Sequence, residues 1–326
     1  MADEMFRPAT EQVGPVQRET GTRAILKKAA PATVAEVRST SQKLEREVDA
    51  NVPQLIDALT TLRDSLAEAR VTRGTSTRAE LAKGAAPKMT LVVVGDCSPS
   101  METGIHQWSQ GQLKGVEAED KLVALLGSAS VQMSTGQYGE FDTEFMLFSL
   151  PDRANGDDLR QDKGSIPGRA KSGGSNNVSK VIKPREQVFR EEDLVGVFTF
   201  LRDGNYRGNS TIVAPSLQLL AEELQANSEW VQRVKNHEEA LVVLLVTDGE
   251  VFDAAQANTL INGQNGLAEN GAYVMTAVIG NGGSLIRSAT GPHTFSANSP
   301  EDFVKGVKQQ SDVAKSERGG RRFSSR

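Results

Sequence analysis

Three runs of apolar, largely β-branched residues constrain this chain more than any other feature. Residues 89–95 read MTLVVVG, 240–247 read ALVVLLVT and 272–279 read AYVMTAVI. None alternates apolar with polar, so each must be covered on both faces, as in the central strands of a parallel sheet. Parallel neighbours need a crossover of a dozen or more residues, normally a helix. The intervals supply helical periodicity around 117–126, 190–201, 215–234 and 254–269, and a further strand-like run at 144–149. The expected fold is therefore α/β, a doubly wound, mostly parallel sheet with helices on both faces. A final helix is expected from Ser299, where Ser can cap, Pro300 can occupy the first turn and Glu301 complements the helix dipole.

The flanks read differently. Residues 1–31 are rich in Pro, Gly, Thr and charge without an apolar period, and are expected to form a disordered arm. Residues 32–87 are expected to hold a helical segment and a linker. In that segment Val37, Leu44, Val48, Val52, Leu55, Leu59, Leu62 and Leu66 recur three or four residues apart. Pro53 suggests a break near Ala50, with Asn51 capping a second helix. Such spacing suits a helical hairpin or helix packed on the main domain. It suits equally a coiled coil that makes a homo-oligomer. The main domain is expected over 88–314, with a Gly/Ser-rich, charged insertion at 151–187 in which 178–183 alternates enough for a short edge strand. From Lys315 the tail carries five basic residues (Lys315, Arg318, Arg321, Arg322, Arg326) and is expected to be disordered.

Composition excludes several function classes. A net charge of −5 over 326 residues argues against nucleic acid as the main partner, leaving only the basic tail for such contacts. No run approaches the roughly 20 apolar residues of a membrane span. Residues 1–22 hold no apolar leader core, and the single cysteine, Cys97, cannot form an intrachain disulfide. The expected compartment is the cytoplasm.

Chemistry concentrates after the first buried run. Asp96, Ser98 and Ser100 alternate along the turn that follows it, so their oxygens can face one point above the strand. In a doubly wound sheet the carboxyl edge at the switch point is the binding crevice. Two further segments reach that edge, one carrying Thr211 and one carrying Asp248 beyond the second buried run. Two carboxylates and three hydroxyls are hard oxygen donors, suited to Mg²⁺ or Mn²⁺ rather than Zn²⁺.

With these residues the sequence resembles the von Willebrand factor A (vWA) superfamily, the integrin I-domain fold. Its metal-ion-dependent adhesion site carries Asp-x-Ser-x-Ser, then Thr, then Asp, and all five positions are filled here in order. The form of the segment from Thr211 to Leu217 looks most like the copine and tellurium-resistance-associated branch, which is intracellular. The resemblance implies that Ser98 and Ser100 bind the ion directly. Asp96 and Asp248 would act largely through water, and Thr211 in either way. An ion ligated mainly by neutral hydroxyls stays electrophilic and can take an Asp or Glu from a protein partner. The segment 102–116, with His106 and Trp108, would lie beside the ion as a lid or partner contact, and Glu250 follows Asp248 closely enough to join them. Asn209 and Ser210 replace the Gly-Gly common before the threonine.

Two other classes compete with this binding module. One is an assembly protein that oligomerises through the N-terminal helices. The other is a metal-dependent phosphotransferase, which would need a second Asp where Ser98 stands. There is neither a phosphate-binding Gly-rich loop nor a nucleophile elbow. His106, His237 and His293 follow no metal or triad spacing.

Overall fold

The computed structural model describes residues 34–68, 87–96, 98, 118–151, 177–183, 190, 211–249, 251–280 and 284–320. Its elements in chain order are α1 (Val34–Ala67), β1 (Lys88–Asp96), α2 (Ala118–Met133), β2 (Phe141–Pro151), β3 (Asn177–Lys183), α3 (Ala214–Ala226) and α4 (Ser228–Lys235). They continue with β4 (Glu239–Thr247), α5 (Ala254–Asn262), β5 (Tyr273–Val278), α6 (Ser284–Thr290), a 3₁₀ turn, β6 (Thr294–Ser296) and α7 (Pro300–Gly320).

The three apolar runs are the centre of one six-stranded sheet, ordered β3-β2-β1-β4-β5-β6. All pairs are parallel except β2 with β3, which places the antiparallel strand at an edge. The doubly wound, mostly parallel architecture expected from the runs is what forms. The chain winds outward from β1 to β3, then returns to pair β4 against the other side of β1. The switch point therefore lies between β1 and β4, and their carboxyl ends define the crevice.

Alternation along the strands divides the core in two. Leu91, Val93, Val242, Leu244, Val246 and Met275 point to the face covered by α1, α2 and α7. Val92, Val94, Val243, Leu245 and Val274 point to the face covered by α3, α4, α5 and α6. Every residue of β4 is buried, which explains why its sequence has no polar alternation.

The structure corrects several local expectations. The helix α1 does not break near Ala50 but runs through Pro53. Proline there removes a single N–H, and the burial of Val52, Leu55, Ile56 and Leu59 outweighs that loss. Asn51 does not cap a helix. It is buried, and its Nδ2 donates to Glu301 Oε1 at 3.1 Å, tying α1 to the first turn of α7. Val48, Val52, Leu55, Leu59 and Leu62 lie in the domain's own core, so this part of the apolar stripe is not free for a partner helix. The helix expected over 215–234 is two helices parted at Asn227, whose side chain accepts from Trp230 N at 3.0 Å and caps the second. The helix expected to reach 269 ends at Asn262, because Gly263 adopts ψ 178°. Residues 315–320 are helical rather than a disordered tail, since α7 continues to Gly320. The elements α6 and β6 were not expected, being too short to show a period. The helix expected at 190–201 and most of the insertion lie outside the described residues.

The side of α7 that meets the sheet has no room for a side chain at Gly306. A Cβ there would overlap the ring of Phe295, a buried residue of β6. In an open helix Gly→Ala stabilises by roughly 1 kcal/mol. Here Gly306→Ala is expected to destabilise by about 1–3 kcal/mol through overpacking, measured as a lower urea midpoint. A raised midpoint would show that Phe295 yields freely. Farther along α7, Gln310 accepts from the Tyr273 hydroxyl at 2.9 Å, and His293 joins Tyr273 (2.9 Å) to Glu317 (3.1 Å). His293 thus has a structural place, remote from the crevice.

Candidate functional site

β1 and β4 end side by side, with Gly95 opposite Val246, so Asp96 and Thr247 emerge together at the switch point. Asp96 is completely buried. Its Oδ1 accepts from Ser98 N at 2.8 Å, the hydrogen bond of a tight turn that brings Ser98 back over the strand end. Its Oδ2 accepts from Thr247 Oγ1 at 2.6 Å, and Thr247 Oγ1 in turn accepts from Gly249 N at 3.1 Å. These bonds link the β1 loop to the β4 loop. Ser98 and Thr211 are buried and Asp248 is half-buried. Ser98 and Asp248 act on Asp96 directly, while Thr211 is tied to the stretch after β4 through its carbonyl and Phe252 N.

The electrostatics of this edge are unusual. Burial is the main cause, and repulsion from Asp248 the second, that pushes the Asp96 carboxyl up to about 7, against the lowering effect of the Thr247 and Ser98 bonds. Nothing cationic acts on it among the described residues. The buried Glu239, at the opposite end of β4, shows the contrast. It accepts from Thr90 Oγ1 at 2.6 Å, Trp230 Nε1 at 2.8 Å and the cationic Arg233 Nε at 3.2 Å. Glu239 is a satisfied structural carboxylate, whereas Asp96 faces another acid.

The Thr211 segment is held on every side. Phe252 N donates to the Thr211 carbonyl at 3.0 Å. Ile212 N donates to Ser149 Oγ at 2.8 Å, while Val213 N and Ala214 N donate to the two oxygens of Asp253 at 3.0 and 2.7 Å. Ser149 reaches its position through an irregularity in the β2–β3 register and a left-handed backbone at φ 60°. Asp253 is raised from its ordinary pKa by burial, which outweighs the bonds from Ala214 and Val213. Neither Ser149 nor Asp253 was found in the sequence, because their partners lie 63 and about 40 residues away. Phe252 was missed as well. It is 72% exposed, a large apolar side chain left in water on the stretch after Asp248, with its backbone against the Thr211 carbonyl.

The sheet has the doubly wound order that the resemblance to the von Willebrand factor A superfamily implies. Of the site residues expected from the sequence, Asp96, Ser98 and Asp248 lie at the carboxyl ends of β1 and β4, and Thr211 lies just before α3. Ser100, His106, Trp108, Glu250 and Cys97 lie outside the described residues. Among the described residues no cluster of three or more His, Cys, Asp or Glu side chains forms a metal centre, so an ion at this edge would have to draw on hydroxyls as well as the two acids.

No family model matches the sequence, and no curated relative does. Similar solved structures include the manganese-loaded TRAP protein of Plasmodium vivax, 14% identical with a TM-score of 0.44, over 70% of this chain and 75% of that one. Another is proximal thread matrix protein 1 of the mussel byssus, 15% identical with a TM-score of 0.41, over 71% of this chain and 49% of that one. A third is the SpRpn10 VWA domain, 11% identical with a TM-score of 0.32, over 68% of this chain and 95% of that one. Likeness at this level carries no ligand or partner from one protein to another.

Proposed function

We propose that this chain is a metal-dependent protein-interaction module, in which a Mg²⁺ or Mn²⁺ ion held at the β1–β4 edge captures a carboxylate of a protein partner. The observation that carries this reading is Asp96, fully buried and facing a second acid, Asp248, with no cation acting on it among the described residues. A divalent ion would offset the charge of two neighbouring carboxylates, and the hydroxyls of Ser98 and Thr211 are hard neutral donors suited to it. Ser100 completes the set. The donors that are hydroxyls add no charge, so the ion keeps positive character for an Asp or Glu from outside. We place the module inside the cell, in keeping with its lone cysteine; no described helix is long and apolar enough to cross a membrane. The reading is one of binding rather than catalysis.

The ion itself is tested by calorimetry, with Mg²⁺ and Mn²⁺ expected to bind the wild type and not the Asp96→Ala, Asp248→Ala double variant. Undiminished affinity in the double variant would refute the site. Ca²⁺ should bind more weakly, since it favours more ligands at longer distances than this compact set offers.

The rim carries a second test. The backbone of Phe252 is held by its own N–H against the Thr211 carbonyl, and its ring is exposed on the stretch that follows Asp248. With His106, Trp108 and Glu250 it would form the surround that keeps water from the captured carboxylate. Phe252→Ala is expected to leave Mg²⁺ affinity unchanged and to weaken retention of a partner recovered in Mg²⁺ and released by EDTA. Removal of the partner's carboxylate should cost on the order of 2–5 kcal/mol. Binding that persists in EDTA, with no acidic residue of the partner dominating, would defeat the mechanism.

A further inference from the structure

We infer that Asp253 is a positioning residue for the ion site, acting through Thr211 without touching the ion. The inference rests on the metal reading above and adds a residue to it. Four consecutive backbone groups, the Thr211 carbonyl and the N–H groups of Ile212, Val213 and Ala214, are each bonded to a group from another part of the chain. Two of the four go to the carboxylate of Asp253, one to each oxygen. A third goes to the backbone of its neighbour, Phe252.

The geometry makes this more than a helix cap. Val213 is the residue before α3 and has no capping bond from its own side chain, so the orphan N–H groups there depend on Asp253. Asp253 also follows Asp248 by only five residues, on the short stretch that leads from β4 to α5. Its carboxylate therefore staples the Thr211 segment to the segment that carries Asp248. Thr211 and Asp248 become one rigid unit, and the hydroxyl of Thr211 holds its place relative to the acid. Ser149 fixes the same segment from β2 through a single bond to Ile212 N, so it makes the smaller contribution. Outer residues that orient metal ligands typically change affinity by roughly 10–100-fold when removed.

The test is a double-mutant cycle on the full chain, reading Mg²⁺ affinity by calorimetry with folding checked by circular dichroism. Asp253→Ala should weaken Mg²⁺ binding at least roughly ten-fold. Asp253→Asn keeps one acceptor oxygen, serves if the alanine variant does not fold, and should fall between that variant and the wild type. In a Thr211→Ala background the same changes at Asp253 should have almost no further effect, because the hydroxyl that they misplace is gone. Equal losses in both backgrounds would show that Asp253 acts on the fold at large, and would overturn the inference. Unaltered affinity in a folded Asp253→Asn protein would do the same. If Asp96→Ala abolishes binding while Thr211→Ala does not, the metal reading stands and this inference falls. If the wild type takes up no Mg²⁺, both fall.

Discussion

Asp96→Asn is expected to make the metal-free protein more stable than the wild type at pH 8 while removing all stabilisation by Mg²⁺. In the folded chain burial and the neighbouring Asp248 push the Asp96 carboxyl up to about 7, from an ordinary value of 3.8. A raised acid of this kind favours the folded state while it is protonated. That contribution is complete below about pH 4 and is lost as pH rises through 7. The difference corresponds to about 4 kcal/mol of cost to the ionised, metal-free form above pH 8. Asparagine carries no charge, so it escapes this cost, but its amide NH₂ must face Thr247 Oγ1, whose proton then needs a new acceptor. A net gain of about 2 kcal/mol at pH 8, turning into a deficit of about 2 kcal/mol at pH 4 where the wild-type acid is protonated, is the expected balance. Saturating Mg²⁺ should reverse the order, because an ion bound only by the native wild type stabilises it in proportion to the logarithm of its concentration over Kd. The measurement is urea unfolding of both proteins at pH 4, 6 and 8, in EDTA and in Mg²⁺. A metal-free wild type whose stability rises from pH 5 to pH 8 relative to Asp96→Asn would show that the carboxylate is not electrostatically strained.

The second large effect concerns α1. Leu55 and Leu59 are 0% and 1% exposed, in the core formed with α2, α7 and one face of the sheet. Leu→Ala at either position should destabilise the protein by about 2–5 kcal/mol, the transfer term plus the cavity left behind. Because unfolding should be cooperative, probes of the sheet and of α1 should lose signal together. Were α1 an oligomerising arm beside an independent domain, the same substitutions would lower the molecular mass in solution and leave the stability of the sheet unchanged. That outcome would overturn the placement of α1 in the core.

The sheet and most of the site could be read from local patterns, for a physical reason. A strand buried on both faces has to be apolar at consecutive positions, so the central strands announce themselves without knowledge of their neighbours. The turn after β1 needs alternating side chains to aim several oxygens at one point, so Asp96 and Ser98 were visible in six residues of sequence. The roles of Asp253 and Ser149 were not visible, because an acid or a serine after a strand is ordinary until its partner is known. Phe252 looked like any apolar residue near a helix start, and only the packing left it in solvent. Pro53 was misread because propensity is a local preference, while the burial that overrides it comes from α2, α7 and the sheet.

The sequence by itself determined the α/β class, the three central strands and the residue types that gather at their carboxyl edge. Those features depend on runs of a few residues and on the sterics of strand and turn. The tertiary structure alone decided which groups face each other. Asp96 meets Thr247 across 151 residues of chain and carries the charge of Asp248 at its side. Glu239, equally buried, meets Trp230 and Arg233 instead. Two carboxylates alike in sequence thus differ in chemistry because the sheet order gives one a cation and the other a second acid. That pairing is set by the long-range winding of β1 and β4, and it is what turns a sheet edge into a candidate ion site.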